Sequence, residues 1–139
     1  MSARLAVHRR FEEIKMKFLI VAPDRTSREG MARMLHTAGH SAIPLQDGQQ
    51  GLQALAVGHY DCVITDLAMP VVDGLEMVRR MRFSADTTPV VICADEISDA
   101  ARATGATLGV AAFVVRPITA EQLLAQLTAA AGHTTPALA

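Results

Sequence analysis

The residues best suited to chemistry stand directly after short apolar runs of the chain. They are Ala22-Pro23-Asp24, Asp66, Ala94-Asp95 and Arg116-Pro117. A carboxylate such as Asp66 can ligate a hard cation or pair with a guanidinium such as that of Arg116. These four points, which carry three carboxylates and one guanidinium, are therefore where we expect a functional site.

The apolar runs that precede these residues have the features of buried strands. They are short, mostly β-branched and not alternating, as expected for a parallel sheet covered on both faces. The four clearest are Phe18–Val21, Cys62–Thr65, Val90–Cys93 and Ala112–Val115. A weaker strand, Ser41–Leu45, contains Pro44, which belongs on an edge strand or at a strand end.

Helical patterns separate the strands. The predicted helices run from Asp24 or Thr26 to about Ala38, from Gln49 to Val57, from Gly74 to Met81, from Ser98 to Thr107, and onward from a cap at Thr119. Five β-α units in succession predict an α/β fold with right-handed crossovers and three layers. In such a sheet, ligands bind beyond the carboxyl ends of the strands, where the charged residues stand.

Composition sets outer limits on function. The 139 residues suit one domain, and 50% of them are hydrophobic but only 4% aromatic. A net charge of -1 argues against nucleic acid as a direct partner. We expect no membrane helix and a cytoplasmic protein with two reduced core cysteines, Cys62 and Cys93. No cofactor is expected, because the sequence contains neither GxGxxG nor GxxxxGK[ST].

The two ends of the chain differ from its middle. Residues 1–15 carry four basic residues against Glu12 and Glu13, and they are either a frayed tail or a short helix that docks on the domain or on a partner. Residues 16–131 form the predicted domain, and residues 132–139 a loose tail.

One stretch carries a specific resemblance. Asp66-Leu67-Ala68-Met69-Pro70-Val71-Val72-Asp73-Gly74 resembles the D-x-x-M-P-x-x-D-G motif of the receiver domain of bacterial two-component response regulators. Weaker matches are Leu45-Gln46-Asp47-Gly48, Thr104-Gly105-Ala106 and Phe113-Val114-Val115-Arg116-Pro117-Ile118. The resemblance covers about residues 17–131. It implies a flavodoxin-like (CheY-like) fold with strand order 2-1-3-4-5.

The resemblance also implies roles for individual residues. Asp66 stands at the position that accepts a phosphoryl group from a histidine kinase. In the family, Mg²⁺, two acidic residues after the first strand, a Thr or Ser after the fourth and a Lys after the fifth complete the site. We expect this chain not to be an enzyme. In the family, partners or a second copy bind through the face made by the fourth helix, fifth strand and fifth helix.

This chain departs from the family pattern at most of those positions. Ala22 and Pro23 replace the two acids, Ala94 replaces the hydroxyl residue, and Arg116, followed by Pro117, replaces the lysine. Phe113 stands where the family usually has tyrosine. Asp24 comes one residue too late to replace an acid and suits a helix cap or a solvated turn instead.

These departures predict a weakened site. Only Asp66 and the backbone carbonyl of Ala68 remain as metal ligands, so Mg²⁺ should bind weakly if at all. Without neighbouring acids, Asp66 should make a direct, bidentate ion pair with Arg116.

Three functions follow from these patterns. The first is an atypical receiver that works by protein–protein interaction, through a face that draws on Ala100 to Gly109, Phe113 and Thr119 to Ala130. The second is a working phospho-acceptor. The third, less favoured, is a flavodoxin-like cofactor-binding protein in which Thr26-Ser27-Arg28 contacts a phosphate. A metal site at His36 and His40 is disfavoured, because Gly39 should end the helix between them.

Overall fold

Alternating strands and helices build the structure, a computed structural model that describes residues 15–132. Most of the predicted extension and of the predicted tail therefore lies outside the described residues. The strands are β1 (Lys17–Val21), β2 (Ser41–Leu45), β3 (Cys62–Asp66), β4 (Val90–Ala94) and β5 (Ala112–Val115). The helices are α1 (Arg25–Thr37), α2 (Gly48–Val57), α3 (Gly74–Phe83), α4 (Asp99–Thr107) and α5 (Ala120–Ala130).

The five strands form one parallel sheet in the order β2-β1-β3-β4-β5, which confirms the predicted topology. The register pairs Val21 with Thr65 across β1 and β3, and Asp66 with Cys93 across β3 and β4. The carboxyl ends of β1, β3 and β4 therefore meet at one edge of the sheet. Pro44 lies on the edge strand β2, where its missing N–H costs no ladder hydrogen bond on the outer side.

Helices cover both faces of the sheet, and each face has its own core. On one face, Ala32 and Leu35 of α1 and Leu123 and Leu127 of α5 pack against the strands. On the other face, α2, α3 and the region around α4 pack against Leu19, Val63, Val90 and Ile92, with Met77, Val78 and Met81 of α3 fully covered. Aliphatic and thioether side chains supply most of both cores, in keeping with an aromatic content of 4%.

Side-chain caps fix where the helices begin. The N-cap residues are Asp24, Asp47, Asp73, Ser98 and Thr119, each accepting a hydrogen bond from a backbone N–H three residues on. Asp24 and Thr26 were the two predicted caps for α1, and Asp24 is the residue that caps it. Capping by Asp47 starts α2 at Gly48, one residue earlier than predicted. Helix α3 continues two residues beyond the predicted end at Met81.

Two smaller expectations concern residues away from the strand ends. His40 accepts a hydrogen bond from the backbone N–H of Met16 through Nδ1, at 3.1 Å, which gives this histidine a structural role. Cys62 and Cys93 are buried free thiols, as predicted. Within residues 15–132, no helix is both long and apolar enough to span a membrane.

Candidate functional site

Asp66 is the last residue of β3, the central strand, and its side chain is buried at the carboxyl end of the sheet. The start of α3 lies directly against this strand end. Gly74 donates its backbone N–H to the carbonyl of Leu67 at 2.9 Å, and a Cβ at Gly74 would stand 2.5 Å from the carbonyl oxygen of Asp66. Glycine is therefore required there, because any side chain would separate α3 from the strand.

Arg116 reaches Asp66 from the end of β5. Its Nη1 donates to Oδ1 of Asp66 at 2.9 Å, and its Nε donates to Oδ1 of Asp95 at 3.0 Å. The predicted direct contact is confirmed, but the predicted bidentate pair is wrong, since the guanidinium divides between two carboxylates. The reason is strand order: β4 lies between β3 and β5, so a side chain that crosses from β5 to β3 passes Asp95 on the way.

The electrostatics of the pair favour the charged form of Arg116. Burial alone would lower the pKa of Arg116, but hydrogen bonds to Asp66 and Asp95 outweigh it and raise that pKa. Burial raises the pKa of the nearby Cys93 thiol to about 11, and the charge of Asp66 adds to the effect. Cys93 is therefore an uncharged, unreactive neighbour of the pair near neutral pH.

The carboxyl end of β1 is apolar and is held by an arginine. Ala22 is buried, and its carbonyl accepts a hydrogen bond from Nη1 of Arg28 at 2.7 Å. The same nitrogen donates to the carbonyl of Pro23 at 3.1 Å. Asp24 caps α1 by accepting the N–H of Ser27 at 2.8 Å, which confirms the capping role predicted for it. A guanidinium thus binds the backbone of the two positions that the resemblance assigns to acids.

Sequence reasoning missed two of these contacts. Arg28 was considered only as a phosphate ligand, whereas its position one turn after the Asp24 cap brings its side chain back over the β1–α1 loop. Asp95 was noted as a residue at a strand end but received no role. Its place directly after β4, next to β5, was the available signal.

The ends of β4 and β5 offer no hydroxyl group to a phosphoryl oxygen. Ala94 is buried at the end of β4, and its carbonyl accepts the N–H of Arg116 at 2.9 Å. Pro117 follows through a cis peptide bond and is exposed. Phe113 packs beneath α4 against Gly105, with the guanidinium of Arg102 5.8 Å from the centre of its ring.

The loop between β3 and α3 turns sharply above Asp66. Val72 donates its N–H to the carbonyl of Pro70 at 2.8 Å, and Val71 between them has a φ of 67°. A β-branched residue in this region of backbone space is strained. Val71 is also 95% exposed, so burial of its side chain does not compensate for the strain.

The resemblance implies a Mg²⁺ ion, and the donor groups present do not fit one. Mg²⁺ requires an octahedron of oxygen ligands, usually with one or two carboxylates. Ala22 and Pro23 have no side-chain donor, Asp24 is committed to its helix cap, and one oxygen of Asp66 is bound to Arg116. In residues 15–132, no three acidic, histidine or cysteine side chains come together as a metal site.

A parallel (βα)5 sandwich with a buried carboxylate at the end of its central strand defines a receiver-type signalling domain. The chain belongs to the response regulator receiver domain family, whose model matches residues 18–128. It therefore takes part in two-component signal transduction, and its CheY-like fold agrees with the prediction from sequence.

Known relatives agree with this assignment. The response regulator MprA of Mycolicibacterium vanbaalenii is 34% identical over 121 residues, which cover 87% of this chain and 52% of the relative. MprA of Mycobacterium bovis is 31% identical over 123 residues, covering 88% of this chain and 54% of the relative. The chain thus spans about half the length of these curated relatives.

Solved structures agree with the fold. The chemotaxis protein CheY4 of Vibrio cholerae superposes with a TM-score of 0.79 at 27% identity, covering 84% of this chain and 99% of that one. The receiver domain of the Francisella response regulator 1452 gives a TM-score of 0.79 at 21% identity, over 86% of this chain and 99% of the other, and supports the fold alone.

Proposed function

We propose that this chain is an atypical receiver domain, in which a fixed Asp66–Arg116 ion pair takes the place of Mg²⁺-dependent phosphorylation. It would then act by binding a histidine kinase or a downstream signalling protein, without catalytic turnover of its own. The observation that carries the proposal is the 2.9 Å contact between Asp66 and Arg116, made beside two residues that cannot ligate metal. The buried free thiols of Cys62 and Cys93 support a cytoplasmic location.

The chemistry of phosphoryl transfer explains why this arrangement should react slowly. Catalysis of the transfer depends on positioning and on neutralising negative charge that spreads over the phosphoryl oxygens. Here Arg28 is occupied by two backbone carbonyls, and Arg116 by two carboxylates. The loss of one preorganised electrostatic contact costs about 3–4 kcal/mol in a transition state. Ala94 removes a second contact, so transfer to Asp66 should be slow.

The ion pair should also contribute to folding. The side chain of Asp66 is 11% exposed and that of Arg116 is 34% exposed, so solvent screens the pair only from one side. After discounting for this exposure, we expect a coupling of about 1 kcal/mol between the two side chains. A double-mutant cycle with Asp66→Asn and Arg116→Gln, measured by urea unfolding, would give the value.

The decisive experiment measures phosphorylation directly. The chain is incubated with acetyl phosphate and Mg²⁺, and its intact mass is followed by mass spectrometry. We expect no gain of a phosphoryl group during an incubation that fully modifies a restored variant. The restored variant carries Ala22→Asp, Pro23→Asp, Ala94→Thr and Arg116→Lys, which return the family's groups to the site.

Two outcomes would decide against the proposal. A phosphoryl group that appears on the unmodified chain and disappears in Asp66→Asn would favour the working phospho-acceptor. Equal rates of modification in the restored variant and in a version of it that keeps Arg116 would show that the ion pair does not restrain Asp66.

A face for protein partners lies at the far edge of the sheet. It comprises α4, β5 and α5, and β5 is an edge strand with Val115 44% exposed at its end. The alanine-rich surface of α4 adds small apolar side chains beside it. An exposed apolar edge of this kind suits packing against another protein, including a second copy of this chain.

Self-association through this face can be tested with one substitution. Sedimentation velocity over a range of concentrations should show a dimer that Val115→Glu weakens at least tenfold. Val57→Glu, at the end of α2 and also exposed, is the matched control and should leave association unchanged. An unchanged monomer at all concentrations, or equal effects of both substitutions, would exclude a homodimer at this face.

A further inference from the structure

Helix α4 is attached to the domain in a different way from the other helices. Helices α1, α3 and α5 bury apolar side chains in one of the two cores, and α2 packs Leu52 and Leu55 against one of them. Within residues 15–132, α4 contributes no side chain to either core, and its only buried residue is Gly105. Burial of apolar side chains therefore does little to hold α4 in place.

The side chain of Arg82 reaches the end of α4 from α3. Its Nε donates a hydrogen bond to the carbonyl of Leu108 at 2.9 Å, and its Nη2 donates to the carbonyl of Gly109 at 3.4 Å. Leu108 is the C-cap of α4, and Gly109 follows it with a φ of 74°. The last carbonyls of a helix have no partner within the helix, and the end of the helix dipole favours a cation. Arg82 supplies both the donors and the charge.

The same guanidinium also binds the loop that leads into β4. Its Nη1 donates to the carbonyl of Asp86 at 2.8 Å and to the carbonyl of Thr88 at 3.0 Å. Asp86 fixes this loop further, because its Oδ1 accepts the N–H of Thr88 at 2.9 Å and its hydroxyl at 2.6 Å. A guanidinium has five N–H donors in one rigid plane. One side chain thus joins the end of α3 to the loop before β4 and to the end of α4.

The middle of α4 has one further contact, with an aromatic ring of β5. The half-buried Phe113 packs against Gly105, where an added Cβ would overlap the ring. The guanidinium of Arg102 lies 5.8 Å from the centre of the same ring. A cation over a partly exposed ring stabilises only weakly. The contact with Phe113 therefore leaves most of the attachment of α4 to Arg82.

We propose that Arg82 is the residue that holds α4 on the domain, and that α4 opens as one unit when the guanidinium leaves the carbonyls of Leu108 and Gly109. This inference goes beyond the proposed function and does not rest on it. Its consequence is that a residue of α3 determines whether the face made of α4, β5 and α5 is complete. An open α4 would uncover Phe113 and remove one third of the elements of that face.

Two substitutions on one helix test the role of Arg82. Arg82→Gln removes the charge and the guanidinium that joins the two loops. Arg79→Gln is the matched control, because Arg79 is exposed on the same helix and pairs with Glu76 at 2.6 Å. Urea unfolding of both variants shows whether the domain is intact.

Amide hydrogen exchange under native conditions measures the opening of α4. In the unmodified chain, we expect the amides of residues 102–110 to exchange together and faster than the slowest amides of α1 and α5. In Arg82→Gln, these amides should exchange about tenfold faster, because hydrogen bonds to a charged group are lost. The amides of α1, α5 and β1 should keep their rates. In Arg79→Gln, every element should keep its rate.

A second measurement needs no substitution. The Nε–H of Arg82 has its own signal in a nitrogen-resolved NMR spectrum, and one opening event should expose it together with the α4 amides. We therefore expect the same protection factor for this Nε–H and for those amides. The Nε–H of Arg80, which is exposed and bound to Glu76 at 3.0 Å, should be far less protected.

Three results would overturn the proposal. Unchanged exchange of α4 in Arg82→Gln would show that other contacts hold the helix. Exchange that rises equally in α4, α1 and α5 would mean that Arg82 contributes to global stability alone. An unprotected Nε–H of Arg82 in the unmodified chain would show that its contacts with the carbonyls do not hold α4, and this result does not depend on whether Arg82→Gln folds.

Discussion

The carboxyl ends of β1, β3 and β4 meet at one edge of the sheet. The end of β3 is nevertheless built differently from the other two. After β3, a glycine at position 74, a helix cap at Asp73 and a strained turn at Val71 hold the backbone closely. At the ends of β1 and β4 stand Ala22, Pro23 and Ala94, whose side chains offer no donor or ligand, while Asp95 after β4 is bound to Arg116. The backbone that positions Asp66 is closely held, whereas Ala22, Pro23 and Ala94 have no side chain that could bind a phosphoryl group.

This difference separates two kinds of constraint. Close packing around β3 stabilises the fold, since a methyl group at position 74 would overlap the carbonyl oxygen of Asp66. The side chains at the ends of β1 and β4 serve mainly chemistry, so they can change while the fold persists. The following predictions test the two kinds of constraint separately, from the largest effect to the smallest.

Gly74→Ala should have the largest effect. The new Cβ would overlap the carbonyl oxygen of Asp66, which is backbone and can move only with β3, so we expect a loss of about 3 kcal/mol in unfolding free energy. Gly30→Ala, which meets no neighbouring atom, is the control and should gain about 0.5–1 kcal/mol from its helix propensity. Urea unfolding measures both values. Similar changes in the two variants would mean that the β3 end is not closely packed.

Restoring the acids after β1 should change metal binding and leave the fold intact. With Ala22→Asp and Pro23→Asp, we expect the Mg²⁺ dissociation constant to fall at least tenfold, equivalent to about 1.4 kcal/mol, because two carboxylates join Asp66. Isothermal titration calorimetry measures the change. Adding Asp66→Asn to the double variant should remove most of the gain. An unchanged dissociation constant would indicate that Arg28, bound to the carbonyls of this loop, keeps the cation out.

Relief of strain at Val71 should raise the unfolding free energy, by less than Gly74→Ala lowers it. Asparagine tolerates a positive φ far better than valine does, so Val71→Asn should raise the unfolding free energy by about 1 kcal/mol. Val57→Asn, at another exposed valine but with helical backbone, should give no gain. A thermal melt of both variants tests this, and equal stability of Val71→Asn and the unmodified chain would argue against a strained turn.

The smallest effect is expected at His40, which directly precedes the edge strand β2. Burial lowers the pKa of His40 below its usual 6.5, although Asp61 opposes the shift, and the neutral ring accepts the N–H of Met16. Just below pH 6.5, the folded state therefore binds fewer protons than the unfolded state. The contribution of neutral His40 to the unfolding free energy is full above pH 6.5 and declines as the pH falls through the lowered pKa. His40→Asn keeps an acceptor but does not titrate. Unfolding between pH 5 and 8 should be less dependent on pH in this variant, and an unchanged slope would contradict the prediction.

Much of the fold was predictable because its signals are local. Apolar β-branched runs and capping residues act within a few positions, so the strands and most helix limits followed from the sequence. The start of α2 was missed by one residue because the cap at Asp47 was not considered. At the site, the contact between Asp66 and Arg116 was predicted, but its geometry was not, because the part played by Asp95 depends on which strand lies between them.

The sequence by itself determined the succession of strands and helices and the kinds of side chain at each strand end, since these depend on neighbouring residues. Only the tertiary structure decided how Arg116, 50 residues from Asp66, divides its hydrogen bonds, and that Arg28 covers the carbonyls of Ala22 and Pro23. Such contacts follow from strand order and helix packing, which join residues that no local pattern connects.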